Sequence, residues 1–180
     1  LPAATASAAV SAEADGKGGM EMRRAILASL CLSLLAGFSA AAEVPLFSLK
    51  TLDGSTYRLS DELGKKIIIL DFWATWCEPC KKFMKRLQEI QNKYPDVAVV
   101  AISVDDASAY AKVGQYIQGK GFNFTVLLDP DSQVAKVLNP ELKIPFTAII
   151  DRQGTIVFTH TGYAPGDEQE VIRKIETLTK

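Results

Sequence analysis

Residues Ile67–Trp73 read Ile-Ile-Ile-Leu-Asp-Phe-Trp, an apolar, β-branched and aromatic run broken by one carboxylate. A run without polar alternation is the pattern of a strand buried on both faces, so structure must cover it above and below. Across residues 77–94 the period becomes helical, with Phe83, Leu87, Ile90 and Tyr94 on one side and Pro95 as the stop. Residues 97–104 (VAVVAISV) repeat the buried-strand pattern. A helix is predicted over 107–120, stopped by Gly119 and Gly121, then a strand over 124–128 and a short helix over 132–138 capped by Asp131. Strands over 146–150 and 156–160 flank Asp151-Arg152-Gln153-Gly154, a hairpin connection, and a last helix is predicted over 168–180. Upstream, residues 44–57 alternate apolar and polar around Asp53-Gly54, another hairpin, and Ser60 is placed as the cap of a turn over 61–64. The expected fold class is therefore α/β, a central mixed β-sheet flanked by helices on both faces, with an N-terminal β-hairpin.

At 180 residues the chain suits one domain. With 20 Lys and Arg against 21 Asp and Glu, the net charge of −1 offers no basic surface for nucleic acid. The cluster Lys81-Lys82 with Lys85-Arg86 reads as the solvated face of a helix. Residues 1–21 are rich in Ala, Ser and Gly without apolar periodicity, and read as disordered or as a segment upstream of the true start. Residues 22–42 join Met22-Arg23-Arg24 to an uncharged apolar stretch ending in Ser39-Ala40-Ala41-Ala42, the parts of a secretory signal peptide cleaved after Ala42. The alternative is an uncleaved membrane anchor, since roughly 18 apolar residues just span a bilayer. Either reading leaves a globular domain at 43–180 outside the cytoplasm, periplasmic or otherwise extracytoplasmic.

Cys31 lies in the apolar stretch, so the domain keeps two cysteines, Cys77 and Cys80. In an oxidising compartment two cysteines pair. A bridge closing so short a loop removes little unfolded-state entropy, which argues for a chemical role. The pair follows a buried strand and opens a helix, where unpaired N–H groups and the helix dipole favour a thiolate on Cys77. Cys80 lies on the same helical face, close enough to bridge. Pro79 falls in the first turn, where its missing N–H costs nothing. In this reading Cys77 attacks a substrate disulfide and Cys80 resolves the mixed disulfide, with no cofactor beyond the dithiol. Glu78 opposes the thiolate and Lys81 and Lys82 offset it, which leaves the net sign open.

The segment Asp71-Phe72-Trp73-Ala74-Thr75-Trp76-Cys77-Glu78-Pro79-Cys80 resembles the active-site segment of thioredoxins, and most nearly that of the extracytoplasmic TlpA/ResA-like branch. Ile144-Pro145-Phe146-Thr147, followed by Ala148-Ile149-Ile150-Asp151 and Gly154, resembles the cis-proline strand and hairpin of the same family. The similarity runs from about Val44 to the C-terminus, and includes a strand-helix insertion, about residues 106–138, that plain thioredoxin lacks. The resemblance implies a thioredoxin fold and thiol–disulfide oxidoreductase activity of the protein-disulfide reductase type, with cytochrome c maturation as one possible setting. It implies Pro145 as the cis-proline facing the disulfide, the Ile144 backbone pairing with substrate, and Trp76 on the docking surface. Asp71 matches the buried acid of cytoplasmic thioredoxins that accepts the proton of the second cysteine; burial should raise its pKa toward a useful base. Glu78 and Pro79 match the dipeptide of reducing members. Implied partners are extracytoplasmic protein thiols and disulfides and a membrane-bound thiol reductant, with the chain acting as a monomer. Many TlpA/ResA-like members carry a Glu three residues after the second Cys and a Pro two further on; Phe83 and Lys85 stand there in this chain, leaving Asp71 as the candidate acid.

Two other functions share the dithiol. A thiol peroxidase is one, although its peroxidatic Cys normally sits in a differently built loop. A copper-binding or docking module is the other, but a closed metal site needs about four ligands and His160 is the one His of the chain, so no metal site is expected. His160 reads as an ordinary strand residue. Asp105-Asp106 and Asp129-Pro130-Asp131 are assigned to turns and helix caps. Residues 162–167 read as a turn before the last helix.

Overall fold

The computed structural model describes residues 42–180. The expectations for residues 1–21, for residues 22–41 and for Cys31 lie outside the described residues. Among those described, no helix is long and apolar enough to cross a membrane.

Seven strands form one sheet. A short hairpin, β1 (Ser48–Thr51) and β2 (Thr56–Arg58), precedes β3 (Ile67–Trp73), whose seven residues are all buried. Helix α1 (Glu78–Lys93) crosses over to β4 (Val97–Ser103), which lies parallel to β3. Next come α2 (Tyr110–Lys120), β5 (Thr125–Leu128) and α3 (Gln133–Leu138), then the antiparallel pair β6 (Phe146–Ile150) and β7 (Ile156–Thr161), and finally α4 (Glu168–Leu178). The strand order is β2-β1-β5-β4-β3-β6-β7, which puts the apolar run of β3 and that of β4 at the centre.

Alternation along β3 divides the core. Ile67, Ile69 and Trp73 face α1, α2 and α4, packing with Phe83, Met84, Leu87, Val113, Ile117, Val171 and Ile175. Ile68, Leu70 and Phe72 face the other way, onto α3 and the Val44–Leu59 side. Each fully buried Ile or Leu of this kind contributes roughly 1.5–3 kcal/mol, so the two layers together pin the register of the strand. Pro95 ends α1 as expected, with Tyr94 already extended.

Local starts and stops differ from expectation in four places. A 3-10 turn at Leu59–Asp61 replaces the Ser60-capped one; Ser60 lies inside it and its hydroxyl bonds Asp61 instead. Residues Ala107–Ala109 form a 3-10 turn rather than the first turn of α2, because Asp106 accepts from the Ser108 N–H. Gly119 stays helical and Gly121, at a φ of 65°, ends α2. Asp131 does not cap α3: Ser132 takes a left-handed conformation, and the buried Asp129 carboxylate accepts from the N–H groups of Gln133 and Ala135 at 2.8 and 2.9 Å.

Candidate active site

Strand β3 ends at Trp73, and the next four residues form a turn closed by the Cys77 N–H donating to the Ala74 carbonyl at 3.0 Å. Cys77 is the N-cap of α1. It is bridged to Cys80 with the Cα atoms 5.3 Å apart, and its sulfur accepts from the Cys80 N–H at 3.3 Å. The unpaired first-turn N–H groups of a helix favour negative charge, so this is where a Cys77 thiolate is best stabilised once the bridge opens. Pro79 sits in the first turn of α1. Cys80 is fully buried and Cys77 is 5% exposed, whereas Trp76, between turn and helix, is 66% exposed. Of the two bridged residues Cys77 is the one with any exposure, and Cys80 lies behind it.

Glu78 points to solvent and is paired with Lys81. The Lys81 hydrogen bond holds the Glu78 carboxyl below its usual range, with Lys82 adding to the effect. Lys81 also lies 5.9 Å from the centre of the Tyr116 ring on α2, and Tyr116 packs on Trp73 at 5.5 Å.

Asp71 is completely buried at the middle of β3, on the alternation face shared by Ile69 and Trp73 and therefore by both cysteines. Its register partner on β6 is Thr147, whose hydroxyl donates to Oδ1 at 3.0 Å. The second oxygen, Oδ2, has no hydrogen-bond partner among the described residues. Desolvation pushes the Asp71 carboxyl up to about 8, against the lowering pull of Thr147. A buried acid with a free oxygen and a pKa in the working range can take up or release a proton on the side of the sheet that carries the dithiol.

Phe146 pairs with Phe72, so the residues just before β6 lie at the same end of the sheet as the turn leaving β3. Those residues are Ile144 and Pro145, joined by a cis peptide bond. Pro145 is buried, and its carbonyl accepts from the Gly162 N–H at 2.7 Å. Ile144 is partly buried and packs on the cluster that contains both cysteines. The loop at 162–167 thus borders the site: besides the bond to Pro145, its Tyr163 ring packs, tilted, on Phe83, one turn past Cys80, at 4.9 Å. Phe83 itself is buried. His160 stands on β7 with Nε2 3.2 Å from Asp167 and takes no part in the cysteine site. Among the described residues no three His, Cys, Asp or Glu side chains are grouped to hold a metal ion.

The two neighbouring acids after β4 point in different directions. Asp106 does the expected capping, but Asp105 is buried, 3% exposed, and its carboxylate binds Thr75 inside the turn that carries Cys77. The available signal was position alone, an acid directly after a buried strand.

Residues 40–159 match the AhpC/TSA family. Over 139 residues the chain is 35% identical to the thioredoxin-like protein YneN of Bacillus subtilis, covering 74% of this chain and 78% of that protein. It is 32% identical over 124 residues to the thiol-disulfide oxidoreductase ResA of the same organism, covering 69% and 68%. A Chlorobium tepidum crystal structure assigned as the thiol:disulfide interchange protein DsbE superimposes with a TM-score of 0.71 at 28% identity, over 80% of this chain and all of the other.

Proposed function

The chain belongs to the AhpC/TSA family and is a thioredoxin-fold thiol–disulfide oxidoreductase, and we propose that it reduces disulfides of proteins outside the cytoplasm. The observation that carries this reading is the placement of the redox pair, an attackable Cys77 at a helix N-terminus with Cys80 buried behind it.

The exchange balances as follows. The Cys77 thiolate attacks one sulfur of the substrate disulfide; that S–S bond breaks, and the other substrate sulfur leaves as a thiolate and takes up a proton. Cys80, losing its proton to Asp71, then attacks the Cys77 sulfur and expels the second substrate thiolate. Two electrons have passed to the substrate, and the Cys77–Cys80 bridge must be reopened by an external dithiol, in this reading a membrane-bound one. Trp76 and the Ile144–Pro145 backbone form the surface on which an extended substrate segment docks.

One feature favours the reducing direction: the Glu78–Pro79 dipeptide resembles that of reducing relatives. The extracytoplasmic setting is supported by the basic, apolar and small-residue pattern of residues 22–42. Apocytochrome c, the substrate of cytochrome c maturation, belongs to the protein disulfides this proposal covers.

With dithiothreitol as electron source, the purified protein is expected to accelerate reduction of insulin disulfides and to leave hydrogen peroxide unconsumed. Peroxide turnover without disulfide reduction would select a thiol peroxidase. Stoichiometric Cu(I) binding that survives competition, again without disulfide reduction, would select a copper module.

A further inference from the structure

The turn at residues 74–77 faces a structural problem. It joins a buried strand to a helix, and the Thr75 N–H lies inside it, buried and outside any sheet or helix ladder. A buried N–H must find an acceptor. Here the acceptor comes from 30 residues away. Asp105, just past β4, accepts the Thr75 N–H on Oδ2 at 2.8 Å and the Thr75 hydroxyl on Oδ1 at 2.7 Å. Ser103 holds the acid in turn: its hydroxyl donates to Oδ2 at 2.9 Å and accepts from the Asp105 N–H at 3.2 Å. All three side chains are buried. Thr75 is thus gripped by backbone and side chain together, one residue before the exposed Trp76 and two before Cys77.

We propose that Asp105 and Thr75 are positioning residues for the attack step: their two-point contact fixes the turn, and with it the place of the Cys77 sulfur over the first-turn N–H groups of α1. In the oxidised chain the disulfide already ties Cys77 to α1. When the bridge opens that tie is gone, and the turn is held by the Asp105 contact, the Cys77–Ala74 bond and the Lys81 N–H donating to the Cys77 carbonyl at 3.2 Å. The contact therefore matters most in the reduced, attacking state. Stabilisation of a thiolate by a helix N-terminus falls off within the first turn, so a small slide of residue 77 weakens it. Misplacement of a reacting atom by about 1 Å costs up to roughly a hundredfold in rate.

The inference rests on the assignment of Cys77 as the attacking sulfur, and the test separates the two. The reduced protein is alkylated with iodoacetamide across a pH series, and the modified cysteine is identified by mass. Thr75→Val removes the hydroxyl at nearly constant volume and leaves every charge in place, which a change at Asp105 would not. Thr75→Ser restores the hydroxyl. The Thr75→Ser profile is expected to superimpose on that of the unaltered protein, whereas in Thr75→Val the Cys77 titration moves upward and its rate at neutral pH falls about tenfold. A Thr75→Val protein that melts lower but keeps the original titration curve and rate would make the contact purely structural and overturn the inference. Preferential labelling of Cys80 in the unaltered protein would instead overturn the assignment of Cys77, whatever the Thr75 variants do.

Discussion

Cys80→Ser protein, reduced and mixed with an oxidised protein substrate, is expected to accumulate a covalent mixed disulfide through Cys77, while Cys77→Ser forms none. The asymmetry follows from the geometry. Cys77 caps α1 at the edge of the fold beside the exposed Trp76, and Cys80 is fully buried one helical step inside. A substrate sulfur can reach the first, and only the first can be stabilised as a thiolate by the open end of the helix. Without Cys80 the exchange stops after one bond has formed and one has broken, with the second substrate sulfur still attached. Insulin reduction should fall by on the order of a thousandfold or more in either variant, because the two sulfurs act as a unit. Non-reducing electrophoresis and mass mapping of the trapped species provide the check. Trapping through Cys80 in the Cys77→Ser protein would reverse the order of attack.

The second large effect belongs to Asp71. Its carboxyl titrates at about 8 in the folded chain against an ordinary value of 3.8, because burial penalises the ionised form. Below about pH 4 the group is protonated in both the folded and unfolded states and adds no pH dependence. Between about 4 and about 8 the unfolded chain has released the proton and the folded chain has kept it, so stability falls as pH rises, by at most about 1.4 kcal/mol per pH unit. Above about 8 both states are ionised and the loss stays constant, on the order of a few kcal/mol. Asp71→Asn should abolish this slope. Urea unfolding of the oxidised protein at pH 4, 7 and 9 is expected to show the variant close to the parent at pH 4 and clearly more stable at pH 9. In activity the change runs the other way. Loss of the proton acceptor for Cys80 should slow release of the mixed disulfide by about a hundredfold and remove an inflection near pH 8 from its pH profile. Equal pH slopes for the two proteins would deny Asp71 its raised pKa, and an unchanged release profile would deny it the proton.

The buried strands, the hairpins and the helix that opens at the cysteines were legible because each carries its own local signal. Ile67–Trp73 has no polar alternation, and α1 has both a period and a stop at Pro95. The cysteine pair and the burial of Asp71 were legible for the same reason. Features that depend on register were not. Thr147 becomes the partner of Asp71 only through the antiparallel alignment of β3 with β6, 76 residues apart. Asp105 and Asp106 look alike as neighbours in sequence, yet Asp106 faces solvent and caps a 3-10 turn while Asp105 points inward to Thr75. Which of two adjacent acids turns inward is decided by the pleat at the end of β4 and by the chain it meets there. The cap of α3 failed for a related reason: the left-handed Ser132 re-aims the first turn, so the carboxylate that reaches its N–H groups is Asp129, two residues earlier than expected.

The reduction potential of the Cys77–Cys80 pair tests the assigned activity and its direction together. The purified protein is equilibrated with defined dithiol and disulfide buffers, free thiols are trapped, and the two redox forms are counted by mass. A reversible two-electron couple near or below about −270 mV, at the thioredoxin end of the scale, is the expected result for a reductant. A couple near about −120 mV would make the protein an oxidant and contradict the proposed direction, and the absence of any reversible couple would contradict the oxidoreductase itself.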